Sequence, residues 1–214
     1  AYVGMLYFSK MLGLGDFFTC PTVADLAEFL RGKTISTMES IPPIPDGEDY
    51  AISHAQQRLW ILHQLDNATA VYNIPSALEL EGNLDLGVLE KALTVLIRRH
   101  EALRTTFFQK EEVVRQQIHP APIGSVLRYF DFSHHSNPVV IANEFLRTEA
   151  LQPFDLIEGP LLRGSVLKIA DQHHVLAFIL HHIICDGWSI DVIVRELSVL
   201  FRAFSEGTTV GLAT

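Results

Sequence analysis

The stretch VLAFILHHIICDGWS, residues 175–189, decides how this chain is expected to fold. Its first part, Val175 to Leu180, is apolar at every position, which is typical of a strand covered on both faces and predicts a central strand. Two histidines follow directly. Ser189 is placed to cap a helix with an apolar side formed by Ile190, Ile193, Leu197, Leu200 and Phe204. A buried strand, a polar loop and a capped helix in succession indicate an α/β fold.

Apolar periodicity on the N-terminal side predicts further helices and strands. Asp85 precedes a segment in which Leu89, Leu93 and Leu96 share one helical face, and Asn137-Pro138 is typical of a helix start. Helices are predicted from Ser53 to Leu65, from Asp85 to about Arg99 and from Pro138 to about Leu151, and strands at about 74–80, 104–109, 113–118, 126–131, 161–169 and 174–180. This order predicts a mixed sheet packed with helices.

Changes in composition divide the chain into three parts. Residues 1–31 read as a small helical unit in which Thr22 caps a segment from Val23 to Leu30. Residues 32–49 are predicted to be a linker, because they are rich in Ser, Thr and Gly and contain a proline cluster that cannot continue a helix. Residues 50–214 form the main body. The chain starts without an initiator Met or a basic leader, so we expect it to be part of a longer protein.

Composition excludes several classes of protein. Apolar residues make up 48% of the chain and charged residues 19%, which favours a globular protein over a disordered one. The net charge of −9 argues against nucleic acid or an anionic membrane as the main partner, since both select for clustered Lys and Arg. No stretch approaches the about 20 apolar residues that span a bilayer. Two isolated cysteines, Cys20 and Cys185, fit a reducing compartment, so a cytoplasmic location is predicted.

The loop after the central strand holds the candidate chemistry. A loop at the mouth of a core strand can hold a histidine rigidly at a cleft, and histidine is the most frequent proton-transfer group in enzymes. His182 is therefore the candidate catalytic residue. Asp186 is close enough in sequence to organise the loop, and Gly187 is expected to permit the tight bend into the helix.

Other interpretations of these residues are less favoured. Histidine pairs are more often exposed loop residues, as we expect for His134-His135 and His173-His174. A zinc site formed by the two loop histidines and Asp186 would lack a third convergent His or Cys, so no metal is predicted. Cys185 would need an activating base to act as a nucleophile, so a small buried thiol is predicted instead.

Several segments, in the same order along the chain, resemble those of one enzyme family, the condensation domains of nonribosomal peptide synthetases. Three segments are similar to its first three core motifs: SHAQQRLWIL at 53–62, RHEALRTTF at 99–107 and LHHIICDGWS at 180–189. Further family segments are similar to YNIP at 72–75 and to PFDL at 153–156, which is followed by GPLLR at 159–163. Cys185 departs from the pattern, because many relatives carry Ser or another small residue there. Residues 17–26, FFTCPTVADL, resemble the closing helix entry of a carrier domain, and no phosphopantetheine attachment sequence precedes them.

The resemblance implies a fold and a domain organisation. The family resembles chloramphenicol acetyltransferase, in which two lobes form a V around a tunnel with the two histidines near its centre. This chain would supply only the first lobe, in residues 50–214. It would be preceded by the last helices of a carrier domain in residues 1–31.

The resemblance also implies a reaction. The amine of an acceptor aminoacyl thioester attacks the carbonyl of a donor acyl thioester, and both are presented on phosphopantetheine arms of carrier domains beside a neighbouring adenylation domain. No cofactor would be bound directly. His182 would position or deprotonate the amine, and the sequence leaves both roles open. His181 would shape the loop, Asp186 would pair with Arg58, and Gly187 would serve the bend.

Three alternatives to this function stay open. One is a coenzyme-A-dependent acyltransferase of the same superfamily, against which the linker and the carrier-like head argue. The second is an epimerisation domain, which shares the loop motif, although the segments at Ser53 and Arg99 are more similar to peptide-bond-forming relatives. The third is a lobe that docks a carrier domain without catalysing a reaction. The chain alone is expected to be inactive.

Overall fold

The computed structural model of the chain describes residues 19–31, 44–65, 70–122 and 124–208. The chain divides into two units, Ala1–Asp46 and Gly47–Thr214. In the first unit, helix α1 (Val23–Arg31) begins at the predicted position, where the Asp25 backbone N–H donates to Thr22 Oγ1 at 3.2 Å. The first 18 residues of the predicted helical unit and most of the predicted linker lie outside the described residues.

The second unit alternates helices and strands as the sequence predicts. Its elements are β1 (Tyr50–Ala51), α2 (His54–Leu65), β2 (Asn73–Glu81), α3 (Leu86–Arg99), β3 (Thr105–Lys110), β4 (Val113–Ile118), β5 (Leu127–Asp131), α4 (Pro138–Ala150), β6 (Leu162–Ala170), β7 (His173–His181) and α5 (Gly187–Ser205). Short 3₁₀ turns precede β2 and β3. Within the described ranges, no helix is long and apolar enough to cross a bilayer.

The strands form two sheets. The larger has the order β2-β7-β6-β5, in which β5 and β6 are parallel and the other pairs antiparallel. The smaller has the order β1-β4-β3 and is antiparallel. Asp49, which the sequence places in the linker, accepts from Arg115 Nε at 2.7 Å and from Lys110 Nζ at 2.9 Å, so it is tied to the smaller sheet.

Strand β7 is an interior strand of the larger sheet, as predicted. Leu176, Phe178 and Leu180 belong to the main core, together with apolar residues of α3 and α5, namely Leu89, Leu93, Leu96, Ile193, Leu197 and Leu200. A smaller core on Leu167 and Ile169 packs against α4. Helices therefore cover the sheet on both faces, which is why β7 is apolar from Val175 to Leu180.

Local capping chemistry places the helix starts. In α2, Ser53 Oγ accepts from the Gln56 N–H at 3.2 Å, and Gln56 Oε1 accepts from the Ser53 N–H at 2.8 Å, which is a reciprocal capping box. In α3, Asp85 Oδ1 accepts from the Val88 N–H at 3.0 Å. Both predicted starts are confirmed.

One histidine prediction is wrong. His134 and His135 are exposed, as expected, but His173 and His174 begin strand β7 instead of lying in a loop. His174 is only 7% exposed, because it pairs with Leu80 of β2 on one side and with Lys168 of β6 on the other.

Candidate active site

His181 ends the central strand and is completely buried. Its backbone N–H donates to the Leu161 carbonyl at 3.1 Å, and the next N–H, that of His182, donates to the Tyr72 carbonyl at 2.8 Å. These two bonds tie the start of the loop to both neighbouring segments of the sheet. The loop therefore leaves the sheet from a fixed point.

Apolar residues hold the middle of the loop in the core. Ile183, Ile184 and Cys185 are all buried, and the Ile184 N–H donates to the His181 carbonyl at 3.1 Å. Gln56 of α2 reaches the loop as well, since its Nε2 donates to the Ile183 carbonyl at 3.4 Å. With the loop anchored from inside, His182 and Asp186 are left as its exposed side chains.

The imidazole of His182 is held by one nitrogen. Its Nδ1 lies 2.7 Å from the Cys185 carbonyl oxygen, and since a carbonyl only accepts, Nδ1 carries the hydrogen and donates it. In the neutral ring Nε2 then has the free lone pair. The contact fixes the tautomer that a base at Nε2 requires.

His182 faces an open cleft of about 870 Å³. Helix α2 supplies one wall and the loop supplies the other; the lining includes Ser53, Gln56, Arg58, Leu59, Leu62, Tyr72 and Asp186. A separate cavity of about 480 Å³, lined mainly by residues between Thr105 and Gly164, does not include His182. Of these two cavities, the one of about 870 Å³ is therefore the candidate substrate cleft, because His182 and Asp186 line it.

His181 differs from its neighbour in both environment and tautomer. Burial lowers its pKa to about 4, and the nearby imidazoles of His63 and His182 add to the shift. Its Nδ1 accepts from the Ile183 N–H at 3.1 Å, so the neutral ring is fixed with its hydrogen on Nε2. His181 thus contacts the loop backbone from inside, and its side chain does not line the cleft.

Asp186 caps helix α5, which corrects two predictions. Its Oδ1 accepts from the Ser189 N–H at 2.9 Å and from Ser189 Oγ at 2.7 Å, so the cap is Asp186 and Ser189 is the third helical residue. These hydrogen bonds lower the pKa of the Asp186 carboxyl. Among the described residues no ion pair joins Asp186 to Arg58: both are exposed along the same cleft, and the carboxylate is engaged by its own helix.

The predicted role of Gly187 is also not supported. It is the first residue of α5, its φ lies outside the left-handed region, and a Cβ there would meet open space. The chain turns between His182 and Asp186 instead, where the Ile184 N–H closes back on the His181 carbonyl.

The capping role gives Asp186→Ala a modest expected effect. Losing an N-cap side chain costs about 0.5–2 kcal/mol of folding free energy, whereas breaking a buried ion pair costs about 3–5 kcal/mol. We expect the smaller loss in urea unfolding, and little change for Asp186→Asn, which keeps an acceptor at Oδ1. A loss in the larger range for both variants would contradict the capping account and favour a pair with Arg58.

Cys185 is a buried thiol, as predicted. Burial raises its pKa to about 12, and its Sγ lies 3.7 Å from the His181 carbonyl oxygen. A thiol with this pKa is not a nucleophile near neutral pH. In the described part of the chain, no group of three His, Cys, Asp or Glu side chains is arranged to hold a metal ion.

Sequence reasoning missed the residues that surround His181. His63 packs its ring against that of His181 with centroids 5.6 Å apart, and Phe154 and Tyr72 make further ring contacts. Asn73 lies opposite His181 in the β2–β7 ladder. Tyr72, Asn73 and Phe154 stand in segments already noted for their resemblance, but only the strand pairing shows which side chains meet.

Comparisons with known proteins identify the family. Residues 47–213 match the family model described as "Condensation domain". The chain is 40% identical to a linear gramicidin synthase protein of Brevibacillus parabrevis over 96% of its length, and 45% identical to chondramide synthase CmdD of Chondromyces crocatus over 76%. It spans only 3% and 4% of those two proteins.

Solved structures show the same fold. The starter condensation domain of rhizomide synthetase RzmA superposes with a TM-score of 0.73 at 30% identity, over 78% of this chain and 40% of that one. The first condensation domain of the CDA synthetase gives 0.73 at 27% identity, over 78% and 43%. The predicted α/β lobe of chloramphenicol acetyltransferase type is confirmed, and it corresponds to part of these domains. The chain belongs to the condensation domain family of the nonribosomal peptide synthetases.

Proposed function

We propose that the protein containing this chain forms an amide bond between a donor acyl thioester and the amine of an acceptor aminoacyl thioester. Both substrates would be carried on phosphopantetheine arms, so this chain itself binds no cofactor. The observation that carries the proposal is the orientation of His182. Its Nδ1 is held by the Cys185 carbonyl, and it lines the cleft with Nε2 as its free nitrogen.

The reaction needs one proton to move from the attacking amine to the departing thiolate. The amine nitrogen attacks the thioester carbonyl carbon, the C–N bond forms, and the C–S bond breaks as the thiolate leaves. His182 Nε2 accepts the amine proton and returns it to the thiolate sulfur. Such proton transfer is worth about 10²- to 10⁴-fold in rate, and holding both arms at the cleft contributes through proximity.

The other site residues support His182 without touching the reacting atoms. His181 fixes the start of the loop from inside the core, and Asp186 fixes its end as the cap of α5. Arg58 lines the same cleft with an exposed guanidinium and is available to a substrate or to the rest of the domain. Gly187 starts the helix.

Residues before the lobe belong to the same assembly in this proposal. The similarity to the linear gramicidin synthase protein covers 96% of the chain and so extends beyond residues 47–213. This supports assigning residues 1–31 to the end of a carrier domain and residues 32–49 to a linker. Donor and acceptor carrier domains and an adenylation domain are then the expected partners, in the cytoplasm. The net charge of −9 speaks against nucleic acid or an anionic membrane.

A coenzyme-A thioester is a second candidate for the acyl donor, because a relative has been solved with such a molecule bound. A variant of the rhizomide synthetase starter domain was solved in complex with C8-CoA and Leu-SNAC. The decisive experiment is mass-spectrometric detection of amide product by the complete condensation domain, with the acyl donor supplied either on a carrier domain or as a coenzyme-A thioester. Product from the carrier-bound donor supports the proposal. Product only from the coenzyme-A thioester favours the second candidate, and carrier binding without product favours a docking lobe.

A further inference from the structure

Three buried polar atoms on neighbouring residues beneath the loop have no hydrogen-bond partner among the described residues. They are His63 Nδ1, Asn73 Oδ1 and His181 Nε2. His63 is 7% exposed and His181 is 0% exposed. Buried polar atoms are almost always satisfied, by protein or by an ordered water, so three neighbouring exceptions require an explanation.

The three side chains are neighbours in space. The imidazole rings of His63 and His181 are 5.6 Å apart between centroids and cross at 85°. Asn73 is the direct cross-strand partner of His181, which places both side chains on the same face of the sheet. The atoms come from α2, β2 and β7, the elements next to the catalytic loop.

Their hydrogen-bonding roles are complementary. His181 Nδ1 accepts from the Ile183 N–H, so His181 Nε2 carries a hydrogen and is a donor. Asn73 Nδ2 donates to the carbonyls of Ala150 and Gln152, so Asn73 Oδ1 is an acceptor. Burial lowers the pKa of His63, which keeps its ring neutral and lets Nδ1 accept. The three atoms thus comprise one donor and two acceptors.

We propose that a single buried water molecule joins these atoms and that His63 is thereby a positioning residue for the catalytic loop. The water accepts from His181 Nε2–H and donates one hydrogen to Asn73 Oδ1 and the other to His63 Nδ1. Buried waters typically make about three hydrogen bonds, which this site supplies. No direct hydrogen bond joins His63 Nδ1 to His181 Nε2, and the two rings cross edge to face.

The water joins three residues, His63, Asn73 and His181, each of which belongs to a segment that holds the loop carrying His182. Helix α2 carries both His63 and Gln56, which holds the Ile183 carbonyl. Asn73 holds the end of α4, and it follows Tyr72, whose carbonyl accepts from the His182 N–H. Losing the water would loosen the start of the loop relative to α2. The consequence for rate rests on the proposed function, but the water site does not.

The first test is the crystal structure of the complete condensation domain containing this chain. The expected result is a density peak within hydrogen-bonding distance of His63 Nδ1, Asn73 Oδ1 and His181 Nε2. In solution, cross-relaxation between water protons and the His181 Nε2 proton is expected by NMR. A dry site, or a direct His63–His181 hydrogen bond, would overturn the proposal whether or not the domain forms amides.

Matched variants separate positioning from packing. His63→Leu is expected to abolish the water signal and lower kcat about tenfold with KM unchanged, since small misplacements at an active site are costly. His63→Gln, which keeps a polar group, should retain the signal and the rate. His174 is the control because it is also 7% exposed and unpartnered at Nδ1 among the described residues but lies at the other end of β7. If His63→Leu keeps the water signal, or His174→Leu abolishes it, the assignment is wrong.

Discussion

Replacing His182 with asparagine is expected to lower the rate of amide formation by about 10²- to 10⁴-fold while the protein stays folded. The asparagine amide can still donate to the Cys185 carbonyl, which His182 Nδ1 contacts at 2.7 Å. It has no atom at the position of Nε2. The loop contact is thus retained while the nitrogen that takes the proton is removed. His182→Ala, which removes both, should show the same loss of rate.

Whether these variants are folded is checked by recording their thermal unfolding with circular dichroism. His182 is exposed, so its removal should change the melting temperature little. The measurement is mass-spectrometric quantification of amide product from two loaded carrier domains. Product formed at the wild-type rate by folded His182→Asn and His182→Ala would make His182 dispensable and leave catalysis to proximity alone.

A third substitution distinguishes a base from a positioner. In His182→Gln an amide oxygen reaches about as far as Nε2 and can accept a hydrogen bond from the amine, but it cannot take the proton. If His182 acts as a base, the glutamine variant should be as slow as the asparagine variant. If His182 chiefly orients the amine, the glutamine variant should recover most of the rate. The sequence leaves these roles open, and the fixed tautomer of His182 serves both, because a base and a positioner each need the lone pair at Nε2.

The fold was predictable from the sequence because its signals are local. The apolar run in β7, the amphipathic face of α3 and the caps at Ser53 and Asp85 each lie within one element, and each predicts the right element. The start of α5 was misplaced by one turn. Asp186 and Ser189 are both capping residues three positions apart, and only the backbone decides which of them precedes the first helical residue.

The candidate site was predictable only in part. His182 could be chosen because resemblance and position agree. The partners of Asp186, the burial of His174 and the packing of His63 on His181 depend on how the backbone folds and on which segments meet. Single-sequence periodicity has no information on such contacts. Local signals therefore locate the loop but not the residues that support it from beneath.

The burial of His181 predicts a loss of stability in mild acid. In the folded chain its pKa is lowered to about 4 from the ordinary value of 6.5. Between these values the unfolded chain binds a proton at His181 and the folded chain does not, so the free energy of unfolding falls as pH falls. At about 1.4 kcal/mol for each pKa unit, the full contribution is about 3 kcal/mol. It is intact above pH 6.5 and lost by about pH 4.

Urea unfolding at a series of pH values tests this prediction, with His181→Asn as the main variant. Asparagine offers an acceptor to the Ile183 N–H but has no titratable ring, so the slope of stability against pH should become shallower in this window. Part of the slope will remain, because burial also lowers the pKa of His63.

The control variant is Ile179→Val, which weakens the same strand by about 0.5–1.5 kcal/mol without removing a titratable group. It should lower stability equally at all pH values. The lowered pKa values of Asp49, Asp131 and Asp186 act only below this window, because a depressed carboxyl loses its contribution in stronger acid. An unchanged slope in His181→Asn would mean that the imidazole is solvated in the native state, contrary to its complete burial at the end of the central strand.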